Sequence, residues 1–552
     1  MKTQRIWGSL DPFYESGPIL GRKVANMGFL NGLLGLDPFD EYHFFLSGAG
    51  GRQGLTSFFQ NSYPAIFEQG RVKIMDRRDL PAEIASRKYF CFHQSDCINY
   101  PAHLARVRNK YGKNIFPITG TTHSLSYSNY GSFFLNYLWK GTTKRDCIVT
   151  TSSTGVQVVE KYFKHLREGL GLSEETHPSP QIKKIPLGIN PGKLTPPDEH
   201  LKAQAKRNLG IDAADGRVNI LVFGRIAHYS KMDILPLLRA LQKLFASGIE
   251  RTKVRVMLGG WIDEDDDFPA TLAQLGRNMG LELSIIGCPS DDKKLDLYRA
   301  ADIFVSISDN PQETFGLTVL EAGASGLPVI ASDYDGYKDL VINGESGILI
   351  ETIGPEATPD LDIIAPLCFD NHYHLLMAQQ TAVNTPKLAA ALEKLINDAQ
   401  LRSKMGAAGA KRVRDKFNWT KVVKQHVSLW EELNTVPVDE NELRDILHPV
   451  QVRLGETFSH YPTEVLNPKT KLVTGTTGMA IYKGREFPLI YKGVDRLLNE
   501  EVIRKMAFFA RKPLTADQLE EKIKSIAGKM SDNDARFHIL WSLKHDILEK
   551  VC

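Results

Sequence analysis

The chain has no run approaching about 18 consecutive apolar residues, so no membrane-spanning helix is expected. Its first residues, MKTQRIWGSLDPFYESG, lack the apolar stretch of a secretory signal. Cysteine is scarce, with six in 552 residues (Cys91, Cys97, Cys147, Cys288, Cys368 and Cys552), too few for a disulfide framework. No CxxC occurs. Cys91 and Cys97 flank FHQSD, but no second pair follows at zinc-finger spacing, so reduced thiols in a cytoplasmic protein, peripheral to a membrane at most, are expected. An excess of charge of either sign is also missing. Lys+Arg number 68 and Asp+Glu 65, a net +3, which provides no broad field for nucleic acid. There is no internal repeat and no low-complexity tract. What is present is ordinary globular usage, 42% hydrophobic and 24% charged, which excludes a disordered or fibrous chain. A length of 552 residues outgrows a single core and predicts two to four domains.

Short Val- and Ile-rich runs alternate with longer amphipathic stretches. HFFLSG (from His43), VKIM (Val72), KYFCFH (Lys88), NIFPITG (Asn114) and DCIVTTS (Asp146) form one series of candidate strands. VNILVFG (Val218), VRVMLGG (Val254), LSIIG (Leu283), DIFVSIS (Asp302), PVIAS (Pro328) and GILI (Gly347) form a second. Such runs read as buried parallel strands in βαβ units, and two series predict two doubly wound α/β domains. The first covers 1–190 and ends in the Pro/Gly-rich IPLGINPGKLTPPDEH; the second covers 191–415, with an insertion near 351–385 read as a surface loop. Residues 416–435 read as a helix. Residues 436–552 can form a small α+β accessory domain. In it TKLVTGTTGMAIYKGREF reads as a β-hairpin, and LNEEVIRKMAFFAR, TADQLEEKIKSIAG and DARFHILWSLKHDILEKV as three helices, the second capped by Thr515 with Gln518. This unit looks loosely like a winged-helix or peptide-recognition domain. Dimerisation or structural support is its expected role, with recognition of an acceptor as the alternative.

The most informative stretch is SDNPQETFGLTVLEAGASGLPVIASDYDGYKDLVINGESGIL. A buried strand ends, NPQ turns, a helix starts near Phe315 or Gly316, and another strand follows. Ligands of doubly wound folds bind at such strand ends. The helix start offers unpaired N–H groups and a positive dipole end to a phosphate, and Gly316 removes a side chain where backbone must approach. Glu313 and Glu321 bracket that start. Eight fully helical steps rise about 12 Å, comparable to the span from ribose to sugar in a nucleotide-sugar. The acidic clusters DEDDDF from Asp263 and SDD from Ser290 read as solvated loops, so no metal site is predicted.

These residues resemble the Glu, seven residues, Glu signature of the retaining GT-B glycosyltransferases of glycosyltransferase family 4. Other family elements occur in order: IPLGIN, then ILVFGRIAHYSKMDILPLLRAL with Gly224, Arg225 and Lys231, then CPSDDKKLDLYRAADIFVSISD and RDKFNWTKVVKQHVSLWEEL. The resemblance is strongest over 188–433 and does not cover the last hundred residues. It implies two Rossmann-like domains facing a cleft, with the 416–435 helix crossing back to the first. It also implies transfer of a sugar from a nucleotide-sugar with retained anomeric configuration and without a cofactor or metal. Arg225 and Lys231 would contact the donor diphosphate, Glu321 the ribose, and Glu313 the hydroxyls of the transferred sugar. Backbone of Phe315, Gly316, Leu317 and Thr318 would line the sugar and phosphate, and Cys288 would pass the base through its backbone. In the first domain the resemblance points to Gly21, near Arg22, as a phosphate-facing loop glycine, and to His123 as a contact of the transferred sugar.

The expected catalytic group is therefore His123, Arg225, Lys231 and Glu313. The acceptor stays open among small molecule, glycan, lipid and peptide; nucleic acid is disfavoured, and a homo-oligomer through the C-terminal domain is allowed. The competing readings are a related sugar phosphorylase or synthase and an inactive GT-B scaffold serving binding or assembly.

Overall fold

The computed structural model describes residues 4–14, 21–192, 194–262, 267–368, 370–528 and 530–551. Residues 263–266 of the DEDDDF cluster, 17–20 of the stretch before Arg22, and Cys552 lie outside the described residues. The chain divides into two compact units, 1–450 and 451–552.

The first unit holds two all-parallel sheets. Strands β1 (Ile6–Ser9), β2 (Glu41–Leu46), β3 (Val72–Asp76), β4 (Cys91–Gln94), β5 (Ile118–Thr121), β6 (Asp146–Thr150) and β7 (Gln181–Lys184) lie in the order β3-β2-β1-β4-β5-β6-β7. Strands β8 (Val218–Phe223), β9 (Val254–Gly260), β10 (Glu282–Gly287), β11 (Ile303–Ser306), β12 (Val329–Ser332) and β13 (Gly347–Ile350) lie in the order β10-β9-β8-β11-β12-β13. Each sheet reverses direction of growth at its first strand, so each has a switch point where helices on opposite faces part and the strand ends lie open. The runs are apolar throughout because helices cover both faces; every residue of β8 and β9 is buried. Edge strand β7 escaped the sequence reading because its QIKK is half-exposed and carries two lysines.

The helix α1 (Gly21–Leu36) and the crossing helix α2 (Trp419–Thr435) meet in the core of the first domain. Trp419 lies against the bare Cα positions of Gly28, Gly32 and Gly188; a side chain at Gly28 or Gly188 would crowd its ring, and one at Gly32 its β-carbon. Ile189 N–H donates to the Phe417 carbonyl at 2.7 Å, so the two connections between the α/β domains are tied together. Residues 436–450, assigned to the accessory domain from sequence, belong to the first unit. Arg145 Nε donates to the Val436 carbonyl at 2.8 Å and His448 Nε2 lies 2.9 Å from the Asn136 carbonyl.

Three local expectations are corrected. The insertion is not a loop: β14 (Thr352–Ile353) pairs antiparallel with β15 (Ala382–Val383) and closes off helices α3 (Pro359–Ile364) and α4 (Asp370–Ala378). Elements this short leave no readable period. Ser290–Asp292 is not a solvated loop either: Ser290 caps the helix Asp291–Ala300, its Oγ accepting from Lys293 N–H. In the second unit the predicted hairpin is a single strand, β16 (Lys471–Thr474), followed by the helix α5 (Thr476–Tyr482). Its partners come from far along the chain, β17 (Leu514–Thr515) on one side and β18 (Leu548–Lys550) on the other. The last predicted helix therefore stops at Lys544. Asp546 turns the backbone at φ 56, its carboxylate accepts from Thr477 N–H and Oγ, and β18 follows. The other two helices stand, α6 (Glu500–Phe509) and α7 (Ala516–Ala527) with its Thr515/Gln518 capping box, and with the shortened α8 (Asp532–Lys544) they pack around Leu472, Ile503, Met506, Leu519 and Ile539. Among the described residues no helix is long and apolar enough to cross a membrane.

Candidate functional site

The site lies where β8 and β11 end, at the switch point of the second sheet. After β8 the chain passes Gly224 (φ 155) and Arg225, held by Gly224 N–H to the Gly259 carbonyl and Ile226 N–H to the Trp261 carbonyl, and reaches Lys231. After β11 it turns through Asn310 and Gln312 to Glu313, whose Oε1 accepts from Phe315 N–H at 3.4 Å. The helix Leu317–Ala324 then starts, with Gly316 as its cap at φ 108. Glycine is required there by packing and backbone geometry: a β-carbon on Gly316 would run into the ring of Tyr337.

Lys231 Nζ forms an ion pair with Glu313 Oε2. Tyr337 Oη completes the cluster, at 3.3 Å from Glu313 Oε2, 3.4 Å from Lys231 Nζ and 2.7 Å from Ser306 Oγ. Burial works against the Lys231 ammonium, yet the charge of Glu313 and the Tyr337 hydroxyl outweigh it and hold its pKa above the ordinary value. The pair likewise keeps Glu313 below the usual carboxylate range despite burial. Glu321 sits one turn into the helix, 8% exposed, with Oε1 accepting from Lys294 Nζ at 2.5 Å and Oε2 from Tyr298 Oη at 2.9 Å. Only 317–324 are helical, so the fully helical rise between the two glutamates does not apply. Leu317 and Thr318 form the first turn, and Thr318 Oγ1 is buried without a hydrogen-bond partner among the described residues. Phe315 is buried in the core of the domain.

Arg225 is half-buried and makes no hydrogen bond or ion pair among the described residues. Cys288 follows β10 with φ 44, its N–H bonded to the Gly260 carbonyl at 2.7 Å; its exposed thiol is turned by a strained backbone at a strand end. Two further carboxylates of this domain hold their protons more firmly than carboxylates usually do. Burial and then the Glu313 charge push Asp335 up to about 8; burial and then Asp233 push Asp309 up to about 7.

The first domain brings its own strand ends to this place. His123 follows β5, and its Nε2 lies 2.8 Å from the Ser95 carbonyl, a contact that needs the proton on Nε2. Ser95 in turn donates N–H and Oγ–H to Asp11, whose pKa burial and Asp96 push up to about 6. Four residues beyond His123, Tyr127 Oη accepts from Gln312 Nε2 at 2.9 Å, directly beside Glu313. Ser126 Oγ lies 2.8 Å from Nε2 of His374 on α4 of the insertion. The His123 loop is thus held by the second domain from two sides. Gly21 opens α1 on an exposed surface, with nothing among the described residues near enough to require a glycine.

Sequence reasoning named Lys231, Glu313 and Glu321 but missed the groups that hold them. Lys294 and Tyr298 stand four apart on one helix, a spacing visible in DDKKLDLYRA. Tyr337 gave no signal, because it reaches the cluster from a four-residue helix, Tyr337–Leu340, after an irregular turn.

Residues 210–359, the stretch that carries this cluster, match the family described as Glycosyl transferases group 1. The D-inositol 3-phosphate glycosyltransferase of Corynebacterium aurimucosum is 26% identical over 282 residues, 50% of this chain; the match spans 58% of that relative's own length, little more than half. Among solved structures, the Anabaena protein Alr3699/HepE in complex with UDP superposes with a TM-score of 0.51 at 15% identity, covering 78% of this chain and 100% of that one. A glycosyltransferase from Rickettsia africae superposes with a TM-score of 0.53 at 18% identity, covering 79% and 100%. The chain therefore has the two-domain GT-B fold, and its residues 210–359 are similar to the group 1 glycosyltransferases.

Proposed function

We propose that the protein is a retaining, metal-independent glycosyltransferase that moves a sugar from a nucleoside-diphosphate sugar to an acceptor. The observation that carries this is the partly buried Lys231–Glu313 pair, set at the switch point inside the group 1 match and beside a helix start. Lys231 and Arg225 supply the positive charge that a leaving diphosphate needs, and the Leu317–Ala324 helix adds its dipole. When donor arrives, the Lys231 ammonium exchanges part of its contact with Glu313 for phosphate oxygen. Glu313 is then free to accept from sugar hydroxyls, still touched by Tyr337. Glu321, fixed by Lys294 and Tyr298, presents a charged acceptor to the ribose. His123 reaches the transferred sugar from the first domain, and the Tyr127–Gln312 bond keeps water out by holding that domain near.

No carboxylate is proposed as a covalent nucleophile; the departing phosphate takes the acceptor's proton in same-face attack. The UDP held by the Anabaena protein makes uridine diphosphate sugars the first donors to try. The name of the Corynebacterium relative makes inositol 3-phosphate the first acceptor.

The test is incubation with a panel of nucleotide-sugars, each with and without acceptor, in buffer with and without EDTA, read by mass spectrometry. A nucleoside diphosphate released with EDTA present, and lost in both Lys231→Ala and Arg225→Ala, is the expected result. Binding of nucleotide with no turnover of any donor would leave the scaffold reading in its place.

A further inference from the structure

We propose that the connection 483–499 of the second unit is a contact for an anionic lipid surface. The connection joins α5 to α6 and includes KGREFPLIYKGVDRLLN. In its middle, burial alternates from residue to residue. Pro488 is buried and Ile490 packs on the unit's core, while Phe487, Leu489 and Tyr491 are 61%, 59% and 58% exposed, Tyr491 also lying 5.9 Å from the ring of His545. With the two intervening residues turned to the core, these three large apolar groups are left on the solvent side. Isolated exposed apolar residues are ordinary; three in register on a segment whose other side is already satisfied are not. Tyr482, at the start of the connection, and Phe508 are likewise exposed, and Arg511 lies over both rings, 4.7 Å and 4.1 Å from their centroids.

The charge around this face selects the occupant. Lys483, Arg485 and Lys492 are exposed in the connection, against Glu486 and Asp495. The Asp495 carboxylate is partly used within the turn, where it accepts from Gly493 N–H at 2.8 Å. Apolar side chains between basic ones match the boundary of an anionic bilayer, where rings and aliphatic groups enter beneath headgroups and Lys and Arg reach the phosphates. A further copy of the chain would bring the same positive charge to the contact and repel it. The proposal does not depend on the glycosyltransferase reading, since no residue of the donor site takes part.

The experiment is flotation of the full chain with vesicles of phosphatidylcholine alone and of phosphatidylcholine with phosphatidylglycerol, at low and high salt. The chain is expected to float with the anionic vesicles only and to be released by salt. Phe487→Ser/Leu489→Ser/Tyr491→Ser and, separately, Arg485→Glu/Lys492→Glu each reduce the bound fraction about ten-fold. The charge reversals alter only exposed side chains, so they test the contact even where the triple variant is poorly folded. The proposal is overturned by equal flotation with both vesicle types, by no flotation, or by flotation unchanged in the charge-reversal variant. It is overturned as well if the chain elutes as a dimer that the triple variant turns into a monomer, which would assign the face to a second copy.

Discussion

The two α/β domains share one strand order through their first six strands and differ in what they bury at the strand ends. The second domain places paired charges there: Lys231 with Glu313, and Lys294 with Glu321. The first keeps its buried ion pair, Arg108 with Asp146, at the starting end of β6 and turns neutral groups to the crossing helix: His93 of β4 and His426 of α2 face each other at 5.0 Å among Phe29 and Trp430, and burial lowers the pKa of both. The scaffold therefore does not decide the chemistry. A sheet of the same topology can hold a rigid hydrophobic seam for the crossing helix α2 or a set of exchangeable charges for an anionic ligand, according to the side chains after its first and fourth strands. Charges that already have partners are poised for exchange, because a ligand phosphate replaces one anion with another and leaves no cation bare.

The sharpest way to break this contrast is to unbalance the charged side. Glu313→Ala leaves the partly buried Lys231 ammonium without its anion and is expected to lower stability by about 2–3 kcal/mol in thermal unfolding. The rate of sugar transfer should fall about 10²–10³-fold. Lys231→Met/Glu313→Leu should regain most of the stability and none of the rate. A double variant as unstable as the single would show that the pair holds the fold together and is not a site set apart from it. On the other side, Trp419→Ala empties the place bounded by Gly28, Gly32 and Gly188 and should cost about 3 kcal/mol. Nucleotide affinity, followed by calorimetry, should stay as it was, because Trp419 belongs to the core of the first domain.

Legibility in the sequence followed the same division. Continuous apolar runs such as VNILVFG and VRVMLGG, bounded by glycine, read as strands covered on both faces, so the buried middle of both sheets was legible while β1 and the edge strand β7 of the first were not among the runs singled out. Lys231, Glu313 and Glu321 were legible because their spacing is tied to a strand end and a helix start. What could not be read was set by contacts between distant segments. Tyr337 meets Glu313 across a turn, Tyr127 meets Gln312 across 185 residues, and β16 finds its partners 40 or more residues away instead of in the adjacent hairpin. Local periodicity carries no trace of such pairings. Gly316 is instructive in this respect: its identity was correctly singled out, but the neighbour that demands it is a tyrosine ring.

Acid and alkali should separate the domains. His426 has its pKa lowered to about 3 by burial, so the native form binds fewer protons than the unfolded chain below about pH 6.5, and stability falls as pH drops through that window. His426→Leu should flatten this loss. Asp309 has its pKa raised to about 7, so the native form binds more protons than the unfolded chain, and stability falls as pH rises from about 4 to 7. Asp309→Asn should therefore unfold at the same temperature as the parent near pH 4 and at a higher one near pH 8. Equal responses of the two variants at every pH would remove the electrostatic distinction between the domains.

The smallest expected effect tests whether the cluster is tuned as well as charged. Tyr337 Oη touches both members of the ion pair and is anchored by Ser306. Tyr337→Phe keeps the ring that fills the space beside Gly316, so packing is preserved, and the loss of stability should be about 1 kcal/mol. Its functional effect should lie in kcat and not in KM. The ion pair survives without the hydroxyl, so donor still binds, but Glu313 loses the contact that fixes its orientation once Lys231 turns to phosphate. Ser306→Ala removes only the anchor and should give a weaker change in the same direction. A KM increase in either variant with kcat preserved would instead make the hydroxyl a direct contact of the donor, and Lys231 and Glu313 would then remain paired throughout the reaction.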